Sequence, residues 1–253
     1  MRGTAFASDF DGTLCESDWN LGIERYDPRD LEAIRRYQAA GGLFGVCTGR
    51  ALSSIRKSLT GKVDVDFYIV TTGAQVLDRD LRPIQVRTIP REVAGELYER
   101  YSARGIGIVM VTDDQFASVG ASTGPGLDNV GSFAELHDPI YDVSLECFSS
   151  EEVAGEVCAE VNERYGSVVG AFQNLGSVDI VPRGCSKGTG VRQVREALGV
   201  RCIAGIGDSF NDLPMLEAAD VAYTFHKSPQ SVKDQADCVV SSLAEALADF
   251  CAR

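Results

Sequence analysis

Short, continuously apolar runs alternate with helical patterns from the first residues onward. Residues 4–8, 43–47 and 67–70 read as strands, with helices expected over 28–39 and 51–59 between them. Asp27 is placed to cap the first helix, Pro28 suits its first turn, and Gly41-Gly42 supplies its stop. Strands that are apolar throughout and separated by helices predict a parallel sheet covered on both faces. The rhythm returns later with a helix over 187–198, a strand over 202–206 and a helix near 212–218. Strands over 221–223 and 238–240 and a last helix over 243–251 follow.

Between these stretches the pattern changes. Residues 74–77 and 84–88 flank Asp78-Arg79-Asp80 like a hairpin, and 92–101 has a helical pattern. Strands over 106–111, 143–148, 168–172 and 178–181 follow, with a helix over 151–164. Residues 113–140 resist assignment, being dense in Gly, Ser, Thr, Asp and Pro, and long loops of this kind are commonly functional. The expected architecture is α/β: a doubly wound, parallel-sheet, Rossmann-like core from residues 1–79 and 184–253, with residues 80–183 inserted as an α+β domain.

Composition narrows the function. Of 253 residues, Lys and Arg number 24 and Asp and Glu 37, a net charge of −13 that repels polyanions over most of the surface. Nucleic acid and anionic membranes are therefore not expected partners, whereas a small phosphorylated molecule remains compatible if a local cation serves it. The eight cysteines, at 15, 47, 147, 158, 185, 202, 238 and 251, form no C-x-x-C pair and read as free thiols. The N-terminus meets Asp9 before a signal-peptide apolar region can form, and no apolar run approaches the roughly 18 residues of a membrane span. A cytoplasmic location is expected.

Four clusters of chemically capable residues sit at predicted strand ends or helix starts. Asp9 and Asp11 close the first strand, two residues apart and so on one face of an extended chain. Gly12 follows, allowing a sharp turn. In an open α/β sheet this edge is where ligands bind. Two such carboxylates are tolerable when a cation neutralises them or one holds a proton. Thr48-Gly49-Arg50 follows the second strand and precedes a helix, which suits either an anion site or plain helix capping. Lys187, in Ser186-Lys187-Gly188, suits a phosphoryl oxygen or an ordinary surface position. Asp208, Asn211 and Asp212 close the set at another strand end; capping accounts for one acid but not for all three residues.

In order and content these clusters resemble the four motifs of the haloacid dehalogenase superfamily: Asp9-Phe10-Asp11-Gly12-Thr13-Leu14, Thr48 before Gly49-Arg50, Lys187, and Gly207-Asp208 with Asn211-Asp212. The position of the insert resembles the Cof-type, sugar-phosphatase-like branch, as does Val178-Asp179-Ile180-Val181-Pro182 ahead of the lysine. Thr72 stands where that branch commonly has Asn, and Tyr223-Thr224-Phe225-His226 replaces its usual Met-Gly-Asn-Ala. Both departures bear on substrate identity.

The resemblance implies a phosphatase acting through an aspartyl-phosphate on a small phosphorylated metabolite, a sugar or polyol phosphate in first place. Asp9 would be the nucleophile, and Asp11 the general acid and then base. Mg²⁺ would be held by Asp9, the Asp11 backbone carbonyl and Asp208, with Asp212 orienting its waters. Thr48, Gly49, Lys187 and Asn211 would bind phosphoryl oxygens. The insert would act as a cap that closes over the core on hinges near 79 and 183. Within it, Asp179 is placed either to accept hydrogen bonds from substrate hydroxyls or simply to face solvent. A phosphomutase would share every core motif, and a non-catalytic phosphometabolite-binding protein is a further alternative. A two-component receiver would lack both the second aspartate and the insert. The two histidines, His137 and His226, have no partner at metal-ligand spacing, so zinc chemistry is not expected.

Overall fold

The computed structural model describes residues 1–18, 21–120, 127–147 and 150–253. The chain opens with β1 (Thr4–Ser8), a short hairpin of β2 (Glu16–Asp18) and β3 (Ile23–Arg25), α1 (Pro28–Ala39), β4 (Leu43–Cys47), α2 (Leu52–Leu59) and β5 (Phe67–Val70). A second hairpin, β6 (Gln75–Asp78) and β7 (Pro83–Val86), leads to α3 (Arg91–Ser102), β8 (Gly107–Val111), β9 (Phe116–Val119), β10 (Asp128–Val130) and β11 (Asp142–Glu146). Then come α4 (Glu151–Tyr165), β12 (Val169–Asn174), β13 (Ser177–Pro182), α5 (Lys187–Ala197), β14 (Cys202–Ile206) and α6 (Leu213–Ala218). The chain closes with β15 (Val221–Phe225), α7 (Gln230–Lys233), β16 (Cys238–Val240) and α8 (Leu243–Ala252).

Two compact units result. The first contains residues 1–18, 23–86 and 186–253. Its sheet runs β16-β15-β14-β1-β4-β5-β6-β7, parallel from β16 to β5 and antiparallel across the hairpin. Alternation along β1 shows why both faces are covered. Ala5 and Ala7 pack with Val191 and Val194 of α5 and Met215 of α6, while Phe6 packs with Ile34 and Tyr37 of α1 and Leu243 and Leu247 of α8. Rings of Tyr37, Phe44, Tyr223 and Phe250 surround Phe6 at centroid distances of 5.8 to 6.3 Å. Burying one such ring contributes about 1.5 to 3 kcal/mol. Because β4 and β5 extend to one side of β1 and β14 to β16 to the other, the carboxyl end of β1 is a topological switch point.

The second unit spans residues 87–185. Its sheet runs β10-β9-β8-β11-β13-β12. One face packs against α3 and α4 through Ile108, Met110, Val143, Leu145, Val178 and Ile180, against Leu97, Tyr101, Val157 and Val161.

Two expectations are corrected. The boundaries lie at 86/87 and 185/186 rather than 79/80 and 183/184, because β6 pairs with β5 and carries β7 into the first sheet. Residues 113–140 are not one loop: they hold β9, β10 and a 3₁₀ turn over Phe133–Glu135, with 121–126 outside the described residues. The β2–β3 hairpin was not anticipated, since each strand is three residues and carries no apolar run. The end of the strand expected over 143–148 also falls outside the described residues. No helix among the described residues is long and apolar enough to cross a membrane, and all eight cysteines are free.

Candidate active site

The carboxyl ends of β1, β4 and β14 and the start of α5 supply the predicted residues. Asp9 follows β1, its main-chain N–H donating to the Ile206 carbonyl of β14, and is only 5% exposed. Lys187 opens α5, whose start is fixed by a capping box between Ser186 and Thr189. Its ammonium, 1% exposed, donates to Asp9 Oδ1 and to Asp212 Oδ1, both at 2.6 Å. Lys187 is therefore a buried bridge between two carboxylates rather than a surface lysine.

Asp212 has no exposure at all, and its remaining oxygen, Oδ2, accepts from the backbone N–H groups of Asp208 and Ser209 at 2.9 and 3.0 Å. With both oxygens engaged, it fixes the loop that carries Asp208. Carboxylate oxygens of Asp9, Asp208 and Asp212 lie within 4.8 Å of one another. Thr13 Oγ1 donates to Asp208 Oδ1 at 3.0 Å. Gly12 is required here on two counts: its φ is +78°, and a Cβ would sit 2.6 Å from Asp208 Oδ2.

The electrostatics follow from burial. Desolvation, reinforced by Asp212, raises Asp9 well above the usual carboxylate range, although Lys187 pulls the other way. Asp208 is pushed up to about 6 by burial and then by Asp212. Burial alone would pull Lys187 down, but Asp212 and Asp9 outweigh it and hold the ammonium well above its ordinary range. One buried cation thus serves three carboxylates, and hard oxygen donors short of positive charge suit a divalent ion of the Mg²⁺ kind.

Thr48 is 2% exposed; its backbone N–H donates to the Ile69 carbonyl, and its hydroxyl accepts from the Arg50 N–H at 3.1 Å. It does not cap α2, whose N-cap is Ala51, so plain capping does not account for it. Gly49 lies between Thr48 and Arg50, and Asn211 is buried in the 3₁₀ turn Phe210–Asp212. Asp11 departs from expectation. Its carboxylate is not in the acidic cluster but is paired in two-pronged fashion with Arg50, at 2.6 and 2.8 Å. Lys187 is therefore not the sole compensating cation of the motif. Arg50, Thr13 and Glu24, which contacts Arg50 at 2.7 Å, were missed as site residues. Arg50 and Thr13 each gave a signal, by directly following Thr48-Gly49 and Asp11-Gly12, and Glu24 gave none.

Asp179 lies on β13 of the second unit, opposite Ser144 of β11, whose hydroxyl donates to it at 3.4 Å. It is 6% exposed, so the solvent-facing alternative does not describe it. Asp142, Ser144 and Glu146 alternate along β11 and so share the sheet face away from α3 and α4. Burial, then Asp179, pushes Glu146 up to about 7. A folded-state value above the ordinary 4.5 means that the folded protein holds the extra proton, so this contribution to stability falls as pH rises from about 4.5 to about 7. Glu146→Gln should therefore flatten the decline in Tm between pH 5 and pH 8; an unchanged profile in thermal melts would contradict this. His226 is exposed, and exposed His137 pairs with Asp114 through Nδ1 at 3.0 Å.

The sequence matches the haloacid dehalogenase-like hydrolase family over residues 6–250. It is 25% identical to the 5-amino-6-(5-phospho-D-ribitylamino)uracil phosphatase of Bacillus subtilis, covering 93% of this chain and 92% of that one. It is 24% identical to the HMP-PP phosphatase of Cronobacter sakazakii, covering 84% and 80%. Among solved structures, a subclass IIB sugar phosphatase of the same superfamily superposes with a TM-score of 0.82 at 20% identity, covering 98% of both chains. A protein from Streptococcus mutans superposes at 0.85 and 19%, covering 98% of this chain and 99% of that one.

Proposed function

The chain belongs to the haloacid dehalogenase-like hydrolase family, and from that premise we propose that it is a Mg²⁺-dependent phosphatase of sugar or polyol phosphates that works through an aspartyl-phosphate on Asp9. The observation that carries this reading is the Lys187 ammonium, bridging Asp9 and Asp212 at 2.6 Å beside Asp208. A carboxylate held this way can attack phosphorus with its other oxygen while the lysine faces the phosphoryl group's negative charge.

In the first step an Asp9 oxygen bonds to phosphorus as the bond to the alcohol oxygen breaks, and Asp11 gives that oxygen a proton. In the second, Asp11 takes a proton from water, whose oxygen bonds to phosphorus as the Asp9–phosphorus bond breaks. Inorganic phosphate, the Asp9 carboxylate and the protonated Asp11 carboxyl result. Thr48, Gly49, Lys187 and Asn211 bind the phosphoryl oxygens. Mg²⁺ would be held by Asp9, the Asp11 carbonyl and Asp208, and supplies charge against the phosphoryl group. Asp212 holds the Asp208 loop and Lys187 in place.

Asp179 is proposed to read the alcohol. A carboxylate only accepts hydrogen bonds when ionised, which favours hydroxyl-rich leaving groups, as the ribityl phosphate in the Bacillus relative's name also does. Asp179→Ala should lower kcat/KM for the best polyol phosphate by about 1.5 to 3 kcal/mol, the scale of a hydrogen bond to a charged group, and spare an aryl phosphate. Equal losses on both would remove Asp179 from specificity.

The reading is tested by a phosphate-release screen of the purified protein across phosphomonoesters. Activity should concentrate on sugar and polyol phosphates, stop on exhaustive EDTA treatment and return with Mg²⁺. Full activity after chelation, or restoration by zinc alone, would overturn it.

A further inference from the structure

Arg50 is tied to more than Asp11. Its side chain is 7% exposed, and every N–H of its guanidinium is directed. Nε and Nη2 donate to the two oxygens of Asp11 at 2.8 and 2.6 Å. Nη1 donates to Glu24 Oε1 at 2.7 Å and to Ser58 Oγ at 3.2 Å, and Nη2 also donates to Ser17 Oγ at 3.0 Å. The guanidinium lies over the Phe10 ring, 4.6 Å from its centroid. Glu24 is itself held, accepting from Ser58 Oγ at 2.7 Å and from Tyr26 OH at 3.0 Å.

A planar guanidinium gripping both oxygens of a carboxylate fixes that carboxylate's plane. Arg50 cannot turn while Glu24 and Ser58 hold its far side, so the orientation of Asp11 is set from β3 and α2. Proton transfer needs donor and acceptor within about 3.2 Å, and misplacement by about 1 Å can cost about 100-fold. We propose that Glu24 is a positioning residue for proton transfer at Asp11, acting through Arg50. This rests on the acid/base reading of Asp11 given above.

The test compares kcat/KM for a polyol phosphate, whose alkoxide needs a proton, with kcat/KM for p-nitrophenyl phosphate, whose leaving group does not; kcat/KM covers the steps up to release of the alcohol, so the dephosphorylation that both substrates share does not enter it. Asp11→Asn should lower the polyol-to-aryl ratio by about 100-fold or more, the scale of general acid catalysis. Glu24→Ala, which frees the far side of Arg50, should lower the same ratio roughly tenfold. Glu24→Gln, which keeps an oxygen for Nη1, should restore it to within about threefold of wild type. Ser58→Ala should shift it in the same direction to a smaller extent, and carries the test if Glu24→Ala does not fold. A merely structural role would lower both activities together. If Asp11→Asn shifts the ratio and the Glu24 and Ser58 variants do not, the positioning role is wrong and the acid/base reading stands. If Asp11→Asn leaves the ratio where it was, the reading of Asp11 fails and takes the proposal with it.

Discussion

Asp9→Asn is expected to abolish phosphate release, by roughly 10⁴-fold or more, because an amide cannot replace the attacking carboxylate. The loss should come without loss of fold. Burial disfavours the ionised form of Asp9, so replacing it with a neutral isostere removes an unfavourable charge from the site. Lys187 retains Asp212 as a partner at 2.6 Å, and the asparagine oxygen can still accept from it. Steady-state phosphate release and thermal melts of one preparation separate the two effects: turnover at background with Tm equal to or above wild type. Substantial Mg²⁺-dependent turnover by the variant would remove Asp9 from the chemistry, and a collapse in Tm would mean that its role is structural.

Lys187→Met is expected to damage both stability and activity. Truncating one partner of a buried ion pair costs about 3 to 5 kcal/mol, because the remaining charges are left uncompensated. For a chain of this size that is a fall in Tm of roughly 6 to 20 °C. The pH dependence follows from the direction of each shift. The wild-type lysine is held above its ordinary value, so its contribution is complete below about pH 10.5 and lost only above. In the variant, Asp9 and Asp208, already raised, lose their compensating cation and take up protons as pH falls. The destabilisation should therefore be larger at pH 8 than at pH 5 in EDTA. Melts showing no difference from wild type at pH 8 would contradict the account of this cluster.

What could be read from the sequence follows its punctuation. Asp9, Thr48, Lys187 and Asp208 were accessible because each sits where an apolar run ends or a helix begins, and a parallel sheet delivers those places to one edge. Pro28 and Asp27 behave as expected at the start of α1, Asp27 accepting from the Arg29 N–H. Glu24 was not accessible, because its contact with Arg50 spans 26 residues and β3 has no periodic pattern to announce its direction. The same reason hid the pairing of Asp11, since alternation places two carboxylates on one face and is silent about which cation reaches each. Residues 80–86 were assigned to the insert, whereas antiparallel pairing keeps both strands of the hairpin in the first sheet. Alternation in Asp142, Ser144 and Glu146 did signal a polar sheet face and was passed over in favour of Asp179 alone.

The central claim is that the phosphoryl group passes through Asp9, and trapping that species tests it most directly. Asp11→Asn removes the group proposed to activate water but leaves the nucleophile, so mixing it with p-nitrophenyl phosphate and Mg²⁺, then quenching in acid, should accumulate phosphoenzyme. Intact-mass analysis followed by peptide mapping should find one phosphoryl group per chain, on Asp9, and none when Asp9→Asn is added. A phosphoryl group on another residue, or turnover of p-nitrophenyl phosphate by Asp11→Asn with no phosphoenzyme in rapid-quench samples, would contradict the account.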